Sequence, residues 1–104
     1  MRAGVEAELG DLQAKAAEAA AMLKLLANEH RLLVLCELVV HGEASVGVLA
    51  DAVGLSQSAL SQHLARLRAD GLLATRRDAQ TVFYRVADPN VGRVLAVLKA
   101  IYCP

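Results

Sequence analysis

The segment Leu55-Ser56-Gln57-Ser58-Ala59-Leu60-Ser61-Gln62-His63-Leu64-Ala65-Arg66-Leu67-Arg68-Ala69-Asp70-Gly71-Leu72 constrains the fold more than any other stretch of the chain. Ser56 stands where an N-cap hydroxyl can accept a first-turn backbone N–H, and Gly71 stands where a left-handed C-terminal cap belongs. Between them Leu60, Leu64 and Leu67 recur at the spacing of one helix face, so that face must be buried. The opposite side carries Ser58, Ser61, Gln62, Ala65 and Ala69. An ordinary solvent-facing helix shows Glu and Lys there. Short and amide-bearing side chains instead let the backbone approach a groove of duplex DNA and reach base edges.

A chain of 104 residues is the size of one domain, so a single unit over 1–104 is expected. It is 56% hydrophobic, with Phe83, Tyr84 and Tyr102 as its aromatics. The core must therefore be built from Leu, Val and Ala, which suits helices and is thin for a monomer, so oligomerisation is expected to supplement it. No apolar run approaches the roughly 20 residues of a membrane span. The acidic start from Met1 to Gly10 lacks the basic and apolar parts of a signal peptide. A cytoplasmic protein with no membrane partner is expected.

The formal net charge is zero, which alone speaks against a nucleic-acid partner, because phosphate contacts dominate affinity for DNA. The distribution points the other way. From Ser56 to Arg85 five arginines (Arg66, Arg68, Arg76, Arg77, Arg85) face two aspartates, whereas residues 1 to 55 carry four basic and eight acidic groups. A basic pole opposite an acidic one fits a neutral DNA-binding domain, and a solvated Arg-bearing surface fits the charge pattern equally well.

The remaining pattern reads as helices with one hairpin. Residues of roughly 4 to 26 form a first helix with Leu9, Leu12, Ala16, Ala20 and Leu23 on one face, interrupted only by Gly10. Asn28 can cap a second helix from Glu29 to about His41, with Leu32, Leu35, Cys36 and Val39 as its inward stripe and Gly42 at its exit. Ser45 can cap a short helix through Ala52, with Val46, Leu49 and Val53 apolar and Gly54 ending it. The capped helix from Ser56 follows at once. A helix from Ser45, a tight Gly54-Leu55 turn and a helix to Asp70 reproduce the helix-turn-helix, in which the first helix braces the second against the duplex.

After Gly71 the period changes. Leu72 to Arg77 and Thr81 to Val86 flank the polar tip Asp78-Ala79-Gln80, which reads as a β-hairpin over 72–86. A hairpin directly after a recognition helix is a wing. Arg76, Arg77 and Gln80 are then placed to touch phosphate or enter a minor groove, or else are solvated strand residues. Asp88-Pro89 starts a last helix whose apolar positions are Val91, Val94, Leu95, Leu98, Ile101 and Tyr102. Such a helix cannot stay exposed.

The resulting fold class is mainly α with a β-hairpin wing, a winged helix-turn-helix in the order of four helices, two strands and a fifth helix. This order resembles the ArsR family of small winged-helix repressors. The residues carrying the resemblance are Leu26-Ala27-Asn28-Glu29-His30-Arg31-Leu32, similar to the family's L-x-N-x-x-R-L start of the second helix, then Leu55 to Leu72, then Gln80-Thr81-Val82-Phe83-Tyr84. The resemblance implies a homodimer joined through residues 1–26 and 89–104, with the helix-turn-helix at 45–70 and two recognition helices in successive major grooves of double-stranded DNA at a pseudo-palindromic operator. By position, base reading falls on Gln57, Ser58, Ser61 and Gln62, with His63, Arg66, Arg76, Arg77 and Gln80 in the interface. His63 flanks the apolar seam, which suits packing or phosphate contact better than base readout. Ala79 occupies a wing-tip position where Gly is frequent, which leaves the turn geometry open.

Family members differ in what releases them from DNA. The thiol-rich metal site on the helix before the recognition helix needs clustered cysteines, and Val46 to Asp51 contains none. The terminal-helix zinc site needs His and carboxylates at helical spacing, and Val91 to Pro104 contains neither. His30, His41 and His63 are expected far apart in the fold. No metal and no cofactor is therefore expected. Cys36 and Cys103 remain, as a small core hydrophobe and a terminal thiol by composition alone, in a compartment that disfavours a permanent disulfide.

The resemblance adds a second reading. A dithiol subgroup of the family, similar to the sulfide-responsive, biofilm-associated and hemolysin-regulator-like repressors, has one Cys in the second helix and one near the C-terminus. There, reactive sulfur species join the two thiols by a disulfide or a polysulfide chain, which implies Cys36 and Cys103 as the sensing pair here and a reactive sulfur species as inducer. Capture of arsenite or a soft metal by the two thiols is the rival inducer. A thiol oxidoreductase would show a CxxC opening a helix, and none exists, so no enzyme is expected. A winged helix that binds only protein is the other alternative, because fold alone does not fix function.

Overall fold

A computed structural model describes the chain over residues 3–104, with side chains from residue 8 onward. The elements run α1 (Ala3–Ala14), α2 (Ala16–Leu26), α3 (Glu29–His41), β1 (Ala44–Ser45), α4 (Val46–Val53), α5 (Gln57–Ala69), β2 (Leu73–Asp78), β3 (Thr81–Val86) and α6 (Asn90–Tyr102). The acidic start read at Met1 to Gly10 lies in part outside the described residues.

The core is one cluster assembled around α5. Leu60, Leu64 and Leu67 are fully buried, and Val34, Leu35 and Leu38 of α3, Leu49 of α4 and Val91 of α6 close around them. Each such side chain contributes about 1.5–3 kcal/mol by leaving water. Three caps set the helix starts the sequence pointed to: Asn28 Oδ1 accepts from Arg31 N at 3.1 Å, Ser45 Oγ from Val48 N at 3.4 Å, and Ser56 Oγ from Ala59 N at 3.1 Å. At the far end of α5, Leu72 N donates to Leu67 O and Gly71 N to Arg68 O, a Schellman closure that needs the φ of +82° found at Gly71.

The sheet has a strand that the sequence did not show. β1 pairs with β3 (Ala44 with Tyr84, Ser45 with Phe83), and β3 pairs antiparallel with β2, giving the order β1-β3-β2. Two residues carry no alternation to read, so only the partner strand reveals them. The hairpin turn is tighter than the three-residue tip expected, since Asp78 pairs with Thr81 and only Ala79 and Gln80 intervene. Ala79 takes a left-handed φ of 55°, which resolves the open turn geometry.

Several expectations about helices are corrected. The single first helix is two, and the break is at Lys15 (φ −109°, ψ 15°), where Lys15 N turns back to Leu12 O, whereas Gly10 is helical. The buried stripe of α3 is Arg31, Val34, Leu35 and Leu38, with Leu32 packed at its edge, so of the expected positions Leu35 and Leu32 face inward and Cys36 and Val39 do not. That helix is apolar almost all round from Leu32 to Val40, so spacing alone could not fix its phase. Cys36 and Val39 lie on the exposed side.

Candidate nucleic-acid interface

The helix-turn-helix is α4, the turn at Gly54, Leu55 and Ser56, and α5. Gly54 makes the turn in the left-handed region at φ +73°, and Leu55 N and Gly54 N both close onto Ala50 O. With one side of α5 locked by its leucines, Gln57, Ser58, Ser61, Gln62, Ala65, Arg66 and Arg68 are all exposed. Gln57 leans over Gly47 of α4, with its Nε2 3.6 Å from where a Cβ on that glycine would stand. Ser58, Ser61 and Gln62 are left on the open face. Arg66 instead borders a cavity of about 460 Å³ that also meets Glu18, Asp70 and Asp88.

The two wing arginines differ. Successive strand residues point to opposite faces, so Arg76 and Arg77 project to opposite sides of the ribbon. Arg76 Nε donates to both carboxylate oxygens of Glu43 (2.9 and 3.2 Å), its Nη2 donates to the same group, and its guanidinium lies 4.4 Å from the Phe83 ring centroid. The hydrogen bonds from Arg76 hold the Glu43 carboxyl below its ordinary range, with the charges of Arg76 and Arg85 adding to the effect. Sequence reasoning missed this fork, because Glu43 lies 33 residues from Arg76 in the chain. Arg77 and Gln80 are exposed at the outer part of the wing.

His63 is half-buried beside α3. Its Nδ1 lies 3.4 Å from Nη1 of Arg31, and its ring stacks on His30 with centroids 6.1 Å apart and an interplanar angle of 29°. The expectation that the three histidines lie far apart is therefore corrected for this pair, because α3 crosses α5 at His30. His41 sits at the other end of α3, 3.3 Å from Glu37. Desolvation pushes the His63 pKa below its ordinary value of 6.5, and the charges of Arg31 and His30 push the same way. Arg31 carried the sequence resemblance without an assigned role. It is only 8% exposed, and its Nε and Nη2 donate to Leu25 O (2.7 Å) and Lys24 O (3.2 Å) at the carboxyl end of α2.

Both cysteines are free and exposed, so Cys36 is not the core hydrophobe that composition suggested. Cys36, Val39 and Val40 of α3 border a groove of about 310 Å³ with Gly92, Leu95, Ala96 and Lys99 of α6. A second groove joins Leu32, at the amino end of α3, to Leu98 and Tyr102 near the carboxyl end of α6. The two helices thus run in opposite directions. Cys103 is the C-cap residue of α6, one position past its last helical residue, with a backbone φ of −132° and ψ of 60°. Burial, with Glu37 adding to it, pushes the Cys36 thiol pKa up. Among the described residues no group of three or more His, Cys, Asp or Glu is placed to hold a metal ion, and no helix is long and apolar enough to cross a membrane.

Residues 21–75, from the middle of α2 into β2, match the family described as bacterial regulatory protein, arsR family. The chain is 47% identical over 97 residues to the HTH-type transcriptional regulator YgaV of Escherichia coli strain K12, covering 93% of this chain and 98% of that protein. It is 47% identical over 100 residues to the transcriptional activator HlyU of Vibrio cholerae, covering 96% and 92%. The crystal structure of the transcriptional repressor BigR from Xylella fastidiosa has a TM-score of 0.85 to it at 38% identity, covering 91% of this chain and 96% of that one. A capped helix-turn-helix followed by a wing, on a stretch that matches the family over more than half the chain, makes this protein a member of the arsR family of DNA-binding transcriptional regulators.

Proposed function

We propose that the chain is a homodimeric transcriptional repressor whose affinity for a pseudo-palindromic operator is set by a covalent link between Cys36 and Cys103, formed in response to reactive sulfur species. The observation that carries this reading is the antiparallel seating of α6 against α3, with the free thiol of Cys36 bordering the groove between them and the free thiol of Cys103 at the C-cap of α6. Base reading is assigned to Gln57, Ser58, Ser61 and Gln62, and phosphate contact to Arg77 and Gln80 of the wing. Arg76, held by Glu43, braces the wing before it reaches DNA.

The dimer rests on what the protomer leaves uncovered. Leu9, Leu12, Leu23, Val97, Ile101 and Tyr102 are 44–77% exposed on α1, α2 and α6. The Cα radius of gyration is 15.8 Å, against about 13 Å for a compact domain of this length. A second copy laid along these helices buries their stripes and sets the spacing between the two α5 helices.

In the sensing step, one thiolate attacks the outer sulfur of a low-molecular-weight persulfide, takes that sulfur and expels the corresponding thiol. The second thiolate attacks the sulfur bonded to Cβ of the modified residue and expels hydrosulfide, leaving a disulfide. Two thiols are oxidised and one sulfane sulfur is reduced. Burial disfavours the Cys36 thiolate and so slows its attack as the first nucleophile. Pinning α6 to α3 alters the dimer geometry, and a weakening of DNA binding by about 5- to 150-fold is the scale of such coupling.

The test is peptide mass spectrometry and DNA-binding anisotropy before and after treatment with glutathione persulfide. A Cys36 to Cys103 linkage with loss of binding is expected, absent in Cys36→Ser and Cys103→Ser. Loss of binding without any linkage would overturn the sulfur mechanism, and arsenite run in parallel identifies thiol capture of a soft ion instead.

A further inference from the structure

We propose that Arg31 is the positioning residue of the recognition helix, and that its contact with His63 makes DNA binding weaken on acidification. The inference rests on α5 being the DNA-reading helix. Arg31 joins three elements from one buried guanidinium: the carbonyls of Lys24 and Leu25 end α2, its own backbone starts α3, and its Nη1 meets His63 on α5. The carbonyls at the end of α2 have no partner within their helix, so the arginine also satisfies that terminus.

The chemistry of the third contact fixes a protonation state. Arginine has only donors, so His63 must accept at Nδ1 and carry its proton on Nε2 as the neutral ring. A protonated His63 would turn an N–H toward the guanidinium and place a cation beside Arg31 and beneath the stacked His30. The charged and titratable groups that bear on His63 are Arg31 and His30 of α3, and α2 meets the same guanidinium through the Lys24 and Leu25 carbonyls. Desolvation and both neighbours act in one direction. A base whose pKa is lowered by folding contributes stability above its unfolded value and loses it as pH falls through its folded one. The seat of α5 is therefore complete above about pH 6.5, the ordinary value for histidine, and loosens below it.

The sign separates this device from an ordinary phosphate contact. Protonating a histidine that touches DNA adds a cation at the phosphates and tightens binding in acid. Protonating one that holds the reading helix from behind weakens it.

The experiment is fluorescence anisotropy of the full chain, with both thiols reduced, on a duplex recovered by in-vitro selection with the unaltered protein. Binding at pH 8 checks the DNA-reading role first, so a failure there belongs to that reading and not to this one. Between pH 8 and pH 5.8 the dissociation constant is expected to rise severalfold, because the lowered pKa of His63 makes the seated form of α5 the one that resists protonation. His63→Gln, whose amide oxygen still accepts from Arg31 but cannot take up a proton in this range, should show no acid weakening relative to its own binding at pH 8. His41→Gln should keep the full response. Imidazole 15N spectra should place the His63 proton on Nε2 at pH 8. A flat or tightening response of the unaltered protein overturns the proposal, as do an undiminished response in His63→Gln and a proton found on Nδ1.

Discussion

The helices α5 and α6 are both 13 residues long, and both carry an apolar stripe at helical spacing. In the protomer they have opposite fates. Every leucine of the α5 stripe is fully buried, whereas α6 buries Val91 and leaves Ile101 and Tyr102 60% and 77% exposed. Periodicity states that a face needs cover. It does not say whether the cover comes from the same chain. The strongest way to break the contrast is truncation on each side of it. Leu64→Ala opens a cavity at the centre of the core and should cost about 2–5 kcal/mol of unfolding free energy, read by urea denaturation. Ile101→Ala, in the same assay at a concentration where the chain is monomeric, should cost well under 1 kcal/mol. Equal losses would mean that α6 is already packed within the protomer.

The second test asks what covers α6. Ile101→Glu places a charge on the stripe assigned to the second copy, and burying an unpaired carboxylate there is costly. Dimer dissociation, followed by sedimentation velocity, should shift by at least about tenfold, or roughly 1.4 kcal/mol, with the far-UV spectrum of the monomer unchanged. An unchanged dissociation constant would place the interface elsewhere.

The same two helices show which parts of the molecule were legible in the sequence. Everything about α5 is local: Ser56, three leucines, Gly71 and the turn at Gly54 lie within a span of 18 residues, and each has a short-range physical signature. The helix-turn-helix and the wing were readable for that reason. What was missed joins distant positions. β1 exists only because β3 lies beside it, Glu43 becomes a brace only when the hairpin returns Arg76 to it, and His30 meets His63 only because α3 crosses α5. The phase of α3 failed for a different reason. With apolar residues on nearly every side, the choice between Cys36 and Leu38 for the core fell to packing, and packing chose the larger side chain.

The ends of the two helices sharpen the contrast at smaller scale. α5 starts with the Ser56 hydroxyl on Ala59 N. Ser56→Ala removes that acceptor and should cost about 1 kcal/mol, within the usual 0.5–2 for an N-cap, with Ser56→Gly losing less because glycine leaves the terminus open to water. Chemical denaturation of both variants checks this, and an Ala variant no weaker than the Gly variant would mean that the first-turn contact carries nothing.

At α6 the residue before the helix is Pro89, which makes no side-chain cap, and the work passes to Asp88, whose Oδ1 accepts from Asn90 N at 2.9 Å. Asp88→Asn keeps an acceptor of the same shape and removes only the negative charge beside the positive end of the helix dipole. The expected loss is a few tenths of a kcal/mol, about 0.3–0.5, because the site is partly exposed and such charge effects are weak there. Salt identifies the cause. The difference between the two proteins should shrink as ionic strength rises from about 0.01 M to 1 M, over which the screening length falls from about 30 Å to 3 Å. A salt-independent loss would assign the effect to hydrogen-bond geometry, and α6 would then be capped as α5 is, by an acceptor rather than by a charge.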